Sequence, residues 1–205
     1  MGLIKKFINQ TRKPEGSLGK IMLKGMNKGH KKMALFGLST LPKDGFKNIA
    51  EIGCGGGANI KRLLGMYPNS FVDAIDYSKL SVEKSLKYNK KNLHRCSITQ
   101  DDVSNLHLDI NKYDLATAFE TVYFWPNLEK SFKNVCDILK NDGYFLIVNE
   151  LDGLKESQYK YEKMIEGMKV YKANDLKDIL MKVGFSDINI TKNEKKGWFA
   201  VLAKK

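Results

Sequence analysis

The feature of this chain that most constrains its fold is a glycine-rich stretch between a short apolar segment and a helical pattern. The apolar segment covers residues 47–52, and glycines follow at Gly53, Gly55, Gly56 and Gly57. Because glycine has no Cβ, a turn of this composition lets backbone amides approach a ligand closely. The stretch therefore predicts a strand, a ligand-binding turn and a helix, in that order.

From Phe46 onward, apolar runs of strand length alternate with helical patterns, which is typical of a parallel α/β sheet. The run over 144–148 is uninterrupted, as expected for a strand that is covered on both faces. The last two runs, 185–191 and 198–203, are joined by a polar link that is too short for a crossover helix, so they must be antiparallel. These patterns predict a three-layer α/β fold whose seven-stranded sheet is mostly parallel and has an antiparallel last strand.

The segment before this pattern, residues 1–40, carries apolar stripes at helical spacing. We predict a loop over 12–19 and a helix from Ile21 to about Leu38. We interpret residues 1–40 as a helical lead-in that is packed beside a main domain of residues 41–205. Such a segment could close over a site as a lid.

The positive charge of the chain limits the classes of partner. A net charge of +12 would suit nucleic acid, but arginine occurs at only three positions and lysine supplies almost all of the charge. Nucleic-acid readers rely on arginine for bidentate contacts. The even spread of lysines therefore favours a solvated surface over a nucleic-acid interface.

The cysteines indicate a reducing environment. Cys54, Cys96 and Cys136 have no C-x-x-C spacing and no histidine in metal-ligand register. We therefore predict reduced thiols, a cytoplasmic location and no metal site. No apolar run has the length of a membrane span, and the oligomeric state stays open.

The glycine turn fits two kinds of nucleotide site. As a dinucleotide motif, Gly53-x-Gly55-x-x-Ala58 is acceptable, and Asp76 lies about twenty residues further on, where a ribose-binding acid is expected. Against this, Glu51 occupies a strand position that is normally apolar in that motif, and the chain closes with an antiparallel pair. Both features favour a different cofactor.

Glu51-x-Gly53-x-Gly55-x-Gly57 resembles the first motif of the class I S-adenosylmethionine-dependent methyltransferases. The resemblance continues in order over roughly residues 46 to 203, with an acid after the second strand and another after the third. It implies a Rossmann-like fold and S-adenosylmethionine as the cofactor. The combination of motifs is more specific than any one of them.

The resemblance also implies a role for each matched residue. Asp76 would accept hydrogen bonds from the ribose hydroxyls, and Asp102 would accept one from the adenine amino group. Glu51 would order the turn and meet the ammonium group of the methionine part. The implied cofactor-binding residues are Glu51, Gly53, Cys54, Gly55, Gly57, Asp76, Tyr77, Asp102, Val103 and Phe119.

The methyl acceptor is expected at the end of the fourth strand, over residues 119–126. Family members that methylate base amino groups or glutamine amides tend to carry an Asn/Asp-Pro-Pro-aromatic motif there, and this chain does not. Its aromatics suggest an apolar pocket wall for a small molecule, although Phe124 and Trp125 could equally be core. We predict Glu120 and Tyr123 as a base or acceptor-orienting pair. The predicted acceptor-binding residues are Asn27, His30, Tyr123 and Trp125.

The predicted activity is therefore methyl transfer to a small-molecule acceptor. Two alternatives stay open at this point. The basic surface could serve a methyltransferase of RNA or another macromolecule. The glycine turn could also belong to an NAD-dependent oxidoreductase or to a nucleotide-binding module without catalysis.

Overall fold

The structure, a computed structural model, describes residues 3–43 and 45–205. Its strands are β1 (Asn48–Ile52), β2 (Phe71–Asp76), β3 (Cys96–Gln100), β4 (Tyr113–Phe119), β5 (Leu139–Asn149), β6 (Ser186–Asn193) and β7 (Trp198–Lys204). They form one sheet in the order β3-β2-β1-β4-β5-β7-β6. Strands β1 to β5 pair in parallel, whereas β7 is antiparallel to both β5 and β6. The predicted sheet is confirmed.

Helices cover both faces of the sheet. They are α1 (Leu3–Ile8), α2 (Gly16–Gly29), α3 (Lys31–Leu38), α4 (Ala58–Met66), α5 (Lys79–Tyr88), α6 (Leu128–Ile138), α7 (Lys160–Met164) and α8 (Ala173–Lys182). Side chains of α6 and α8 pack with β5 in one core, and side chains of α3 and α4 pack with β1 in the other. None of the helices in the described ranges has both the length and the apolar composition needed to cross a bilayer.

Two helices begin where the sequence carries a capping side chain. The Ser78 hydroxyl accepts a hydrogen bond from the Ser81 amide at 3.3 Å ahead of α5, and the Asn127 side chain accepts one from the Lys130 amide at 3.1 Å ahead of α6. Each bond satisfies a backbone donor that the first helical turn leaves free.

The predicted loop over 12–19 is wrong in its second half, because α2 begins at Gly16. A Cβ on Gly19 would lie 2.8 Å from the Pro14 carbonyl carbon and 2.9 Å from Leu80 Cδ2. Glycine at this position therefore allows α2 to pack closely and does not mark a loop. The predicted continuous helix is also divided, since α2 and α3 meet at His30.

The lead-in divides into a part that belongs to the core and a part that faces the site. Met33, Ala34 and Leu38 of α3 are buried in the same core as Ile49 and Leu146 of the sheet. Helix α2 packs against α5 and reaches the glycine turn. Residues 1 and 2 of the predicted lead-in lie outside the described residues.

The strand order places one edge of the sheet as the expected binding crevice. Starting from β1, the chain adds strands first on one side and then, from β4, on the other. Ligands of open α/β sheets bind outside the carboxyl ends of the strands at such a switch point. In this sheet the switch point lies between β1 and β4.

Candidate active site

A cavity of about 240 Å³ lies at the carboxyl ends of β1, β2 and β4, and residues of the lead-in close its other side. The residues predicted from the sequence that line it are Asn27, His30, Gly53, Cys54, Gly55, Asp76, Tyr77, Asp102, Val103, Phe119, Glu120 and Trp125. Within the described ranges, Glu51, Gly57 and Tyr123 do not line it. Most residues predicted for the donor side and for the acceptor side therefore line the same cavity.

The turn after β1 is held by the neighbouring strand and leaves open space beside one of its glycines. The Gly53 amide donates to the Ile75 carbonyl at 2.8 Å. Gly53 has a φ of +80°, and a Cβ there would lie 2.4 Å from Thr121 Cγ2. A Cβ on Gly55, by contrast, would meet no atom closer than 4.0 Å. Gly53 thus permits the tight turn, and the Gly55 backbone is free to approach a ligand.

Asp76, at the end of β2, holds the same turn. Its Oδ2 accepts from the Gly55 amide at 2.8 Å, and its Oδ1 accepts from the Ser78 amide at 2.8 Å. Burial raises the pKa of this carboxyl, and the two amide bonds partly offset that rise. Each carboxylate oxygen can accept more than one hydrogen bond, so Asp76 can hold the turn and still accept from a ligand hydroxyl.

Glu51 lies buried in β1 with one of its oxygens unsatisfied. Its Oε2 accepts from the Thr117 hydroxyl, while Oε1 has no hydrogen-bond partner among the described residues. Burial raises the pKa of Glu51 to about 8, against the opposing effects of Asn59 and Arg62. A buried acceptor without a hydrogen bond destabilises the folded protein, so binding of a cationic donor next to Glu51 Oε1 would be favourable.

Asp102 and Tyr77 form the more open side of the cavity. Asp102 Oδ1 accepts from the Ser104 amide at 2.8 Å and from the Ser104 hydroxyl at 2.7 Å, which caps a short 3₁₀ turn over Val103–Asn105. Tyr77 is 42% exposed. Both side chains are therefore accessible to a ligand in the cavity.

Glu120 directly follows β4 and has an unusual backbone conformation. Its φ is +60°, in the left-handed region that a non-glycine residue rarely adopts. Its Oε1 accepts from the Glu150 amide at 2.5 Å and from the Tyr123 hydroxyl at 3.3 Å. Burial and the nearby charge of Glu150 raise the pKa of Glu120 well above its ordinary range. Strained residues of this kind often mark functional sites.

The predicted pair of Glu120 and Tyr123 is brought together, but the two side chains have different surroundings. Tyr123 is 2% exposed, and its hydroxyl also accepts from the Leu151 amide at 2.9 Å. It is therefore placed to act through Glu120 and not to touch an acceptor. Trp125 is mostly core, because it stacks on Phe145 with ring centroids 6.2 Å apart and only part of it reaches the cavity.

The lead-in meets the site through two polar side chains. The Asn27 amide group donates to the Gly56 carbonyl at 3.0 Å. His30 Nε2 lies 4.0 Å from Glu150 Oε1. Burial lowers the pKa of His30, and the carboxylate of Glu150 opposes that shift. Both lead-in residues that were predicted for the acceptor side thus border the cavity.

Three further residues at this site were not predicted from the sequence: Asn59, Arg62 and Glu150. Asn59 and Arg62 lie on the first two turns of α4 and line the cavity. A signal for Glu150 was present, since it directly follows β5 as Glu120 follows β4. Acids that follow two adjacent parallel strands come together at one edge of the sheet.

Comparison with known proteins identifies the domain. A sequence model of the methyltransferase domain family matches residues 49–143. The malonyl-[acyl-carrier protein] O-methyltransferase of Bacillus cytotoxicus is 31% identical over 122 residues, which cover 57% of this chain and 41% of that protein. The sterol 24-C-methyltransferase of Aspergillus fumigatus is 24% identical over 105 residues, or 50% of this chain and 27% of that protein. The chain spans less than half the length of these relatives.

A solved structure shows the same fold over the whole chain. Phosphoethanolamine N-methyltransferase 2 of Haemonchus contortus, in complex with phosphomonomethylethanolamine and S-adenosylhomocysteine, superposes with a TM-score of 0.79 at 15% identity. The superposition covers 100% of this chain and 60% of that one.

Residues 49–143 thus form a methyltransferase domain, and the fold around them is that of the class I S-adenosylmethionine-dependent methyltransferases. The cofactor of this class is S-adenosylmethionine. The class and the cofactor predicted from the motifs are therefore confirmed.

Proposed function

We propose that this chain transfers the methyl group of S-adenosylmethionine to a small-molecule acceptor that enters the cavity beside Glu120 and Phe124. The observation that supports the proposal is the shared cavity beneath the lead-in, which most of the predicted donor-binding and acceptor-side residues line together. None of the described lining residues is a lysine. The wall carries two arginines, Arg12 and Arg62, but none of the lysines that supply most of the positive charge, which favours a small acceptor over a polyanion.

The residues of the donor side fit the cofactor. The Gly55 backbone offers open space, Asp76 has lone pairs left for ribose hydroxyls, and Glu51 Oε1 is a buried acceptor in need of a cationic donor. Asp102 and the Val103 amide would hold the adenine. When bound, S-adenosylmethionine supplies a methyl group that its sulfonium already activates for transfer. The chain then has to align the acceptor and exclude water.

On the acceptor side, Glu120 would orient the reacting group and Tyr123 would position Glu120. We expect Tyr123→Phe to lower kcat by about tenfold or more, because Glu120 loses a hydrogen bond, while KM for S-adenosylmethionine stays unchanged. Tyr88→Phe is the matched control, since Tyr88 is 51% exposed and does not line the cavity. Equal kcat in the two variants would remove Tyr123 from the acceptor side.

The activity itself can be tested without knowing the acceptor. Purified protein is incubated with methyl-labelled S-adenosylmethionine and with separate pools of small metabolites, RNA and proteins that include acyl-carrier proteins. We expect label in the small-metabolite pool. Label in RNA alone would support the alternative that the +12 charge suggests. Label on an acyl-carrier protein would place the chain with the malonyl-[acyl-carrier protein] O-methyltransferase that its sequence resembles.

We also assign the protein to the reducing cytoplasm. All three cysteines are buried and free of disulfides, which suits a compartment that keeps thiols reduced. Burial raises the pKa of Cys54, so this thiol beside the cavity stays protonated and unreactive.

A further inference from the structure

Three metal-ligating side chains from different parts of the chain meet at the acceptor end of the cavity. His30 joins α2 to α3, Glu120 follows β4 and Glu150 follows β5. Each offers one ligand atom, and these atoms all lie within 4.8 Å of one another. Two ligands about 2.1 Å from the same ion lie roughly 3 to 4.2 Å apart. Small side-chain movements would therefore bring the three atoms to coordination distance.

Neither of the two carboxylates pairs with a lysine or an arginine of the described residues. In the described part of the chain, Glu150 pairs with His30 alone and Glu120 forms no ion pair. Glu120 Oε1 accepts two hydrogen bonds, whereas no described residue donates to its Oε2. Like charges this close are unfavourable unless a cation or a proton lies between them.

The arginines of the cavity wall have other partners. Arg12 lies 3.9 Å from Glu166, and Arg62 donates to Asn59 at 2.6 Å. Neither forms an ion pair with Glu120 or Glu150, so no arginine or lysine of the described residues compensates the charge of this cluster.

We propose that His30, Glu120 and Glu150 bind a divalent transition-metal cation. One imidazole with two carboxylates suits Mn²⁺ or Zn²⁺, since an all-oxygen set would instead favour Mg²⁺ or Ca²⁺. Three protein ligands leave at least one coordination position for water. An oxygen of the acceptor could replace that water, and this last step alone rests on the proposed methyl transfer.

The full chain is first freed of metal. It is then titrated with MnCl₂, with binding monitored by electron paramagnetic resonance, and separately with ZnCl₂, with binding monitored by calorimetry. We expect one equivalent to bind, and enhanced water-proton relaxation by the bound Mn²⁺ to show that it keeps an exchangeable water. His30→Ala and Glu150→Gln should each weaken binding by about tenfold or more. His107→Ala is the matched control, because His107 also contacts a carboxylate, Asp101 at 2.9 Å, but does not line the cavity.

If neither Mn²⁺ nor Zn²⁺ binds stoichiometrically to the unmodified chain, the proposal is overturned. A proton shared by the two carboxylates would then be the compensating charge. Binding that is unchanged in both variants would overturn it as well. Each protein is also titrated with S-adenosylhomocysteine. If the unmodified chain binds S-adenosylhomocysteine but no metal, only the metal site is refuted. If the unmodified chain does not bind S-adenosylhomocysteine, the proposed function is refuted.

Discussion

Asp76 serves the fold and the site with the same carboxylate. Its two oxygens hold the Gly55 and Ser78 amides, and the same side chain lines the cavity. The position was predictable because an acid after the second strand follows a glycine turn in the family motif. Its second task, to fix the turn itself, was not predictable, since a motif states which residues recur and not which backbone groups they hold.

For Asp76→Asn we expect weaker cofactor binding, by about 30-fold or on the order of 2 kcal/mol, because charge-assisted hydrogen bonds are lost. Calorimetric titration with S-adenosylhomocysteine measures the effect. Asp137→Asn is a suitable control, since Asp137 forms an exposed ion pair with Lys133 outside the cavity. An unchanged dissociation constant in Asp76→Asn would show that Asp76 is not the ribose-binding acid.

Glu51 makes the stability of the cofactor-free protein depend on pH. Its pKa rises from an ordinary 4.5 to about 8 in the folded chain. Between these values the unfolded state releases a proton that the folded state retains, so stability falls as the pH rises through this window. The full effect has an upper bound of roughly 5 kcal/mol.

The free energy of unfolding of the unmodified chain should therefore fall between pH 5 and pH 8.5. In the Glu51→Gln variant we expect this fall to be smaller. Urea denaturation without cofactor at the two pH values provides the comparison. The same substitution should weaken binding of S-adenosylmethionine, because it removes the carboxyl group that we propose as the partner of the ammonium group. Identical pH dependence in both proteins would mean that Glu51 ionises in the folded state as it does in the unfolded one.

At the scale of elements, the lead-in combines a fixed helix with one that borders the site. Helix α3 contributes Met33, Ala34 and Leu38 to the core, while α2 contributes Leu23, Met26 and Asn27 to the cavity wall. The apolar stripe over 21–38 predicted the helices, but not their division at His30, because both parts carry apolar positions at helical spacing. We therefore assign the predicted lid to α2 and not to α3.

Hydrogen exchange tests this division. With saturating S-adenosylhomocysteine we expect slower exchange at the amides of α2, since a ligand that binds only the closed state suppresses local opening. The amides of α3 should change less, because that helix is already buried. Unchanged exchange in α2 would show that the lead-in does not respond to the cofactor.

Two glycines in the lead-in test its packing. A Cβ on Gly37 would lie 2.2 Å from Val148 Cγ2, where α3 crosses β5. Gly37→Ala should therefore destabilise the protein by about 1–3 kcal/mol through overpacking. Gly25 lies on the exposed side of α2, where a Cβ meets no atom within 4 Å, so Gly25→Ala should stabilise by about 0.5–1 kcal/mol. Urea denaturation measures the free energy of unfolding of both variants and of the unmodified chain. Equal destabilisation in the two variants would show that α3 does not pack as closely on β5 as described.

At the scale of the whole molecule, most of the architecture was predictable from the sequence. The predicted run over 198–203 matches β7 to within one residue, and the short link before Trp198 required the antiparallel end of the sheet. These features are local, since periodicity and loop length are readable from one stretch of chain. The meeting of His30, Glu120 and Glu150 depends on contacts between distant segments, so the pattern around each residue could not show it.

We expect the glycine turn and the acids after β2 and β3 to hold S-adenosylmethionine. Calorimetric titration of the full chain with S-adenosylmethionine, S-adenosylhomocysteine and NAD tests it most directly. We expect one equivalent of each sulfur compound to bind and NAD to give no binding heat. Binding of NAD without any response to S-adenosylmethionine would contradict the claim.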